Sequence, residues 1–299
     1  MFSKFNLVLL LILSAFSQLA VAQNNTTITS EKYTAHNKGK IYFFWGGNRD
    51  SYTKSDIHFQ GSNYDFTVDD AIADDKPKGW HVDYVNPSRM TIPQTNFRIG
   101  YFINDHYNIS LGLEHMKYVL RQNQVANVTG KIELPGSDIG SMYNGTYTNE
   151  PVNFNENYAD DDLGSLPPFL TFEHTDGLNY VNTEFSRVDD LSKLLGITNT
   201  DKFQINITEG IGGGILYPKT NAKVLGKPRH DDFNVAGYGL SAKAGLNFTF
   251  FKYFFIQTEL KGGYINMQNI KTTSESSDKA SQHFMFLETV VAFGGIFRI

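Results

Sequence analysis

The chain of 299 residues carries a formal net charge of −5 and no cysteine, which excludes a disulfide framework, a thiolate metal site and a lipid-modified N-terminal cysteine. Its lysines and arginines form no cluster of the kind that tracks a phosphate backbone, which argues against nucleic acid as a partner. Past the first residues there is no run of about 18 apolar residues, so transmembrane helices are excluded; transmembrane strands, whose signal is only alternation, are not.

In chain order, Lys4 precedes an apolar run from Leu7 to Phe16, and Ala20-Val21-Ala22 then places small residues ahead of Gln23. This pattern predicts a secretory signal peptide over 1–22, a short periplasmic segment over 23–38 and one β domain over 39–299. The first strand is read at 40–48, "KIYFFWGGN". Residues 49–94 form a long connection in which "DIHF" and "YDFTV" flank "QGSN", the signature of a hairpin projecting from the barrel. If both arms of that hairpin crossed the bilayer, the barrel would have ten strands instead of eight.

The next two strands show clean period-two alternation. Phe97, Ile99, Tyr101 and Ile103 oppose Asn96, Arg98 and Gly100, and after a turn at Asn104-Asp105-His106 the set Tyr107, Ile109, Leu111 and Leu113 opposes Asn108, Ser110, Gly112 and Glu114. A second long connection covers 123–168, and a strand is read over 169–185. Val188, Leu191, Leu194 and Leu195 then have helical spacing before Gly196, which predicts a brief periplasmic helix within 186–202.

The strand at 203–217 places Glu209 on the apolar parity of Phe203, Ile205 and Ile207, which requires a bulge or flip near Gly212-Gly213-Gly214. From 236 to 250, Tyr238, Leu240, Ala242, Ala244, Leu246, Phe248 and Phe250 oppose Gly239, Ser241, Lys243, Gly245 and Asn247. A turn near Phe251-Lys252-Tyr253 leads to Phe254, Ile256, Leu260 and Tyr264 opposite Gln257, Glu259 and Lys261, and the final strand sets Met285, Leu287, Val291, Phe293 and Phe297 against Glu288 and Arg298. Short turns alternate with long connections at 49–94, 123–168, 218–235 and 268–282, the arrangement of an up-and-down barrel with periplasmic turns and extracellular loops.

Two features assign the apolar parity to lipid. The polar parity gathers Arg98, Glu114, Lys243, Glu259, Lys261, Glu288 and Arg298, with signs nearly balanced, as a lumen network requires. Aromatic residues gather at two levels, with Tyr101, Tyr107, Phe203, Phe248, Phe250, Phe254 and Phe297 near the short turns and Trp45, Tyr217, Tyr238 and Tyr264 near the long loops. Tyr238 to Phe248 and Phe254 to Tyr264 are steps of ten residues, roughly 25 Å at the tilt of a barrel strand. The fold class is therefore all-β, a closed antiparallel transmembrane barrel.

With its signal peptide, eight alternating segments, aromatic belts and terminal strand "ETVVAFGGIFRI", the chain resembles small Gram-negative outer-membrane barrels of the OmpA-transmembrane, OmpX or OmpW type. The loop text "KSDIHFQGSNYDFTVDDAIADDKP" is similar to uncharacterised outer-membrane proteins of the Bacteroidota. The resemblance implies an outer-membrane location, contact with membrane lipid and lipopolysaccharide, a monomer, and no cofactor. An eight-stranded barrel is filled by side chains, so function is expected in the surface loops, with 49–94 and 123–168 as candidates for ligand binding.

Three weaker constellations remain. Asp69, Asp70, Asp74 and Asp75 in one loop, and Asp160, Asp161 and Asp162 in the next, offer hard oxygen ligands without EF-hand spacing, and read first as solvated acidic loops. His174, Asp176 and Glu184 share one strand parity, so an imidazole oriented by carboxylates is one reading and a structural cluster the other. The first resembles barrel enzymes that deacylate lipid A, although Asp176 stands where their serine would be and leaves Thr175 nearby. A narrow channel for small solutes is the third functional reading.

Overall fold

A computed structural model describes residues 36–79, 93–154, 167–175, 177–229 and 232–298. The expected signal peptide, Asp160, Asp161, Asp162, Asp176, His230-Asp231 and Ile299 lie outside the described residues.

The strands are β1 (Lys40–Tyr52), β2 (Ser55–Gly61), β3 (Tyr64–Ala71), β4 (Ala73–Asp74), β5 (Thr95–Phe102), β6 (Tyr107–Met116), β7 (Val119–Leu120) and β8 (Val125–Ile132), followed by β9 (Gly145–Asn153), β10 (Leu170–Glu173), β11 (Leu178–Asp190), β12 (Phe203–Leu216), β13 (Asn221–Val224), β14 (Gly237–Phe250), β15 (Phe254–Lys271) and β16 (Lys279–Arg298). Eight of them form a closed antiparallel ring in the order β1-β5-β6-β11-β12-β14-β15-β16, sealed where β16 pairs along the whole of β1.

The row of partners that starts at Ile41 runs through Tyr101, Ile109, Phe185, Ile211, Ala242, Gly262 and Leu287 and returns to β1 at Ser51, ten residues further along. With about 3.3 Å per residue and about 4.7 Å between strands, this stagger over eight strands tilts them by about 41° and sets the wall about 8 Å from the axis. Such a ring has room for side chains and little else.

Its two faces are inverted relative to a soluble protein. Leu111, Val291 and Ile211 are 61%, 58% and 67% exposed on the outside, while Arg98 and Glu288 are 1% and 0% exposed within. A wall of exposed branched and aromatic side chains around a buried polar interior is stable in hydrocarbon, where closure also leaves no unpaired strand edge.

Beyond the ring the chain builds a second structure. The upper ends of β15 and β16 continue outward and pair with each other to Lys271 opposite Lys279, β2 adds to the upper part of β16, and β3, β8 and β9 extend the sheet. The short strands β13, β10, β7 and β4 form a separate sheet. Phe59 of β2 meets Phe172 of β10 with ring centroids at 5.5 Å, and Phe66 of β3 meets Phe169 at the same distance, so the two sheets share one aromatic core. The β2–β3 hairpin, with Ser62-Asn63 between the paired Gly61 and Tyr64, belongs to this outer domain and not to the ring. The barrel therefore has eight strands.

Several sequence expectations are corrected. The segment 169–185 is two strands: Gly177, at φ +128, turns the chain between β10 in the outer sheet and β11 in the ring. The helix expected within 186–202 is absent, because β11 runs on to Asp190, where its ladder with β12 satisfies the backbone. Past Asp190 the chain makes a single turn, with the Leu195 amide donating to the Leu191 carbonyl at 3.1 Å and Gly196 at φ +72 ending it. Leu194 and Leu195 are exposed, so no helical face has a surface to bury against. At Glu209 the register with β11 and β14 is unbroken, so no bulge turns it inward; it stands on the outer face opposite Arg187.

Candidate functional site

The barrel interior is organised in three tiers. At the short-turn end Tyr42, Phe44, Phe102, Phe255, Val290 and Ala292 form an apolar cluster. Above it lie charged side chains drawn from six strands. At the top, Tyr180, Leu216 and Phe286 belong to the same apolar cluster as Phe59 and Phe172 of the outer domain.

The charged tier follows from strand parity, since every second residue of each wall strand must point inward. Arg98 lies 2.7 Å from Glu114 and 2.9 Å from Glu184; Lys243 lies 2.7 Å from Glu184 and 2.6 Å from Glu259. Lys261 contacts Glu114, lies 2.8 Å from Glu184 and stands 3.8 Å from Glu288. Neutral groups complete the shell: Arg98 also donates to Ser110 and Asn182, Gln257 donates to Glu259, and Asn96 donates to Glu288 at 2.9 Å.

Glycine makes the packing possible at two points. A Cβ on Gly112 would overlap the Arg98 guanidinium, and one on Gly212 would press against the Glu184 side chain. Three cations and four carboxylates, with every cation contacting at least two acids, form a cross-linked plug; burial of such charges is tolerable only when they are mutually paired.

The structure brings together Arg98, Glu114, Lys243, Glu259, Lys261 and Glu288, and leaves Arg298 apart. That residue is exposed at the short-turn end, where its guanidinium donates to the His36 carbonyl at 3.3 Å. Glu184, grouped with His174 on sequence grounds, sits at the centre of the plug. The signal that would have placed it there is local: Asn182, Glu184 and Ser186 share one parity against Val181, Thr183 and Phe185. Reading 169–185 as a single strand obscured it.

His174 lies in the outer domain, fully buried between Tyr118 and Phe172. Its Nδ1 meets the Thr220 hydroxyl at 2.9 Å and its Nε2 meets the Gln282 carboxamide at 3.2 Å. Burial pushes the ring's pKa down to about 3. Among the described residues no carboxylate reaches it, and the Thr175 hydroxyl donates to Glu173.

The acids of the first long loop diverge. Asp74 takes a two-pronged contact from Arg121 at 2.7 and 2.5 Å, which lowers its pKa, and Asp75 accepts from Gln94 at 2.6 Å. Asp69 accepts from Thr129, while Asp70 faces Lys54 at 3.8 Å. Among the described residues no group of three or more histidines and acids is disposed to hold a metal ion.

Tyr101, Tyr107, Phe248, Phe250, Phe254 and Phe297 lie near the short-turn end of their strands, and Phe203 at the start of β12 packs tilted against Phe250, with centroids 5.1 Å apart. Tyr217, Tyr238 and Tyr264 lie at the opposite end of the band. Trp45 does not join them: only four residues above Ile41, it pairs with Phe97 and Phe293 in the lower half of the wall. At the upper level Phe233 stacks on Tyr217 at 5.3 Å, an aromatic pair that the sequence reading missed because Phe233 lies in a connection.

No protein-family model matches the chain, and no curated protein does. Among solved structures it is similar to Ail, the attachment invasion locus protein of Yersinia pestis, at 9% identity over 87% of this chain and 99% of that one, with a TM-score of 0.33. It is similar to the outer membrane protein OprG of Pseudomonas aeruginosa at 10% identity over 90% and 100%, with a TM-score of 0.35. Neisserial surface protein A matches at 9% identity over 86% and 99%, with a TM-score of 0.31.

Proposed function

We propose that this chain is an outer-membrane protein of a Gram-negative bacterium, in which a plugged monomeric barrel anchors a folded β domain at the cell surface, and that the domain serves binding or adhesion. The observation that carries the reading is the interior: seven charged side chains from six wall strands tie the ring across its middle, with apolar clusters below and above. Such a lumen favours an anchor over a pore. The substance of the chain outside the ring is a two-sheet structure whose aromatic core is continuous with the top of the lumen, the kind of rigid support on which binding surfaces are held.

The hydrolase reading finds no comparable support, since His174 is enclosed and Glu184 is engaged by three cations. Purified protein in a planar bilayer is expected to show no conductance steps, and regular steps would overturn the anchor. Cells displaying the full chain are expected to bind a surface or soluble ligand that cells displaying a variant with 55–71 and 125–153 replaced by short linkers do not. Equal capture by both would remove the outer domain as the working part.

A further inference from the structure

The outward face of the wall does not end at the upper aromatic level. Tyr264 is followed on that face by Asn266, which pairs with His283, and then by a register shift that brings Lys271 directly opposite Lys279. Strand β2 adds His58 opposite Ser281 and Gln60 opposite Lys279. Of these, His58, Gln60, Asn266, Lys279, Ser281 and His283 line a concave groove of about 380 Å³ that opens outward between β15, β16 and β2, and Lys271 stands next to it as the ladder partner of Lys279.

Two lysines placed directly across an antiparallel ladder repel each other. Neither Lys271 nor Lys279 has an anionic partner among the described residues, and both are exposed. Around Lys279 the groove is lined by carboxamides, a hydroxyl and imidazoles, with Asp65 bonded to His58 at 2.8 Å. The composition fits a ligand with a fixed negative charge and many hydroxyls.

Its position names the source. The groove starts two residues above Tyr264 and climbs to the lysines, seven residues above it, which is about 5 to 17 Å along the axis at the tilt of this barrel. It also continues the lipid-facing side of the wall upward, through the register shift between Met267 and Ile270. A headgroup attached to acyl chains lying against Leu260 and Met285 would reach it directly.

We infer that this groove binds the phosphorylated sugar headgroup of a glycolipid in the surrounding outer leaflet, with Lys271 and Lys279 on the phosphate and the Gln60 and Asn266 carboxamides and Ser281 on sugar hydroxyls. The inference rests on the barrel lying in a membrane, and the test separates the two.

Full-length protein is placed in phosphatidylcholine nanodiscs doped with bacterial lipopolysaccharide, with the same lipopolysaccharide dephosphorylated, or with none but inorganic phosphate in solution. Bound lipid is counted by native mass spectrometry. The phosphorylated glycolipid is expected to bind, and K271Q/K279Q to weaken it by about tenfold, as loss of two charge contacts should, while K202Q on the periplasmic turn leaves it unchanged. Equal binding of the dephosphorylated form, or no effect of K271Q/K279Q, would overturn the site. Displacement by inorganic phosphate at equal concentration would overturn the lipid source. Failure of wild type to enter the discs as a heat-modifiable barrel would instead overturn the membrane reading.

Discussion

Replacing Glu184 by alanine tests whether the plug holds the barrel together. The carboxylate meets Arg98 at 2.9 Å, Lys243 at 2.7 Å and Lys261 at 2.8 Å. At an effective dielectric of about 20, each contact supplies a gross attraction of about 6 kcal/mol. Much of that is offset by desolvation and by repulsion from Glu114 and Glu259, which share the same cations. Removing one partner of a buried ion pair costs about 3–5 kcal/mol. Because each cation keeps another acid, E184A is expected at the lower end of that range, and E184Q, which retains hydrogen-bond acceptance, at about half of it. Urea titration in lipid vesicles, read by tryptophan fluorescence and by heat-modifiable mobility, measures the change. A double-mutant cycle with K243A should show coupling of about 1 kcal/mol or more. An E184A barrel that unfolds within about 1 kcal/mol of wild type, uncoupled from K243A, would refute the view that the plug carries stability.

Three further outcomes are expected. Burial pushes the His174 pKa from its ordinary 6.5 down to about 3, so the unfolded chain takes up a proton that the folded chain refuses. Outer-domain stability is therefore full above pH 6.5 and falls by up to about 1.4 kcal/mol per unit on the way down, a slope in hydrogen exchange that His174→Gln should flatten. Phe172→Ala, which empties a fully buried site beside Phe59 and His174, should cost the outer domain about 3–5 kcal/mol, with limited proteolysis above the membrane accelerated and heat-modifiability of the barrel retained. Glu209→Leu removes an acid from the lipid-facing parity of β12, and should raise the urea midpoint by a free-energy gain of about 1 kcal/mol; a loss would mean that its apposition to Arg187 outweighs its desolvation.

Much of the ring was legible because period two is a local signal. Arg98, Lys243 and Lys261 could be assigned to the inside from their own neighbours, and the turn at Phe251-Lys252 from its length alone. What failed depended on distant partners. Glu184 went to His174 because Gly177, whose φ of +128 separates two strands, looks no different in sequence from a glycine within one. Trp45 was set at the upper level because its height depends on a stagger accumulated around eight strands. The helix expected near Leu191 had the right spacing but no apolar surface to receive it.

The outer domain was the least legible part, and the reason lies in how it is attached. Its sheet has no separate beginning: β15 and β16, with 18 and 20 residues, are barrel strands low down and outer-domain strands higher up. The alternation of β15 runs past the upper aromatic level at Tyr264 and shifts only after Met267, so it gives no mark where membrane ends and surface begins. The core is equally continuous, since Tyr180 and Phe286 at the top of the lumen join the cluster that holds Phe59 and Phe172. Strand continuity and a shared core hold the outer domain rigidly to the wall, so a ligand binding there need not first order a mobile loop. The same continuity carries the lipid-facing side of the wall up to the groove at Lys279. A barrel whose interior is closed by ion pairs thus leaves its outward surface as a place where chemistry, shape and access coincide.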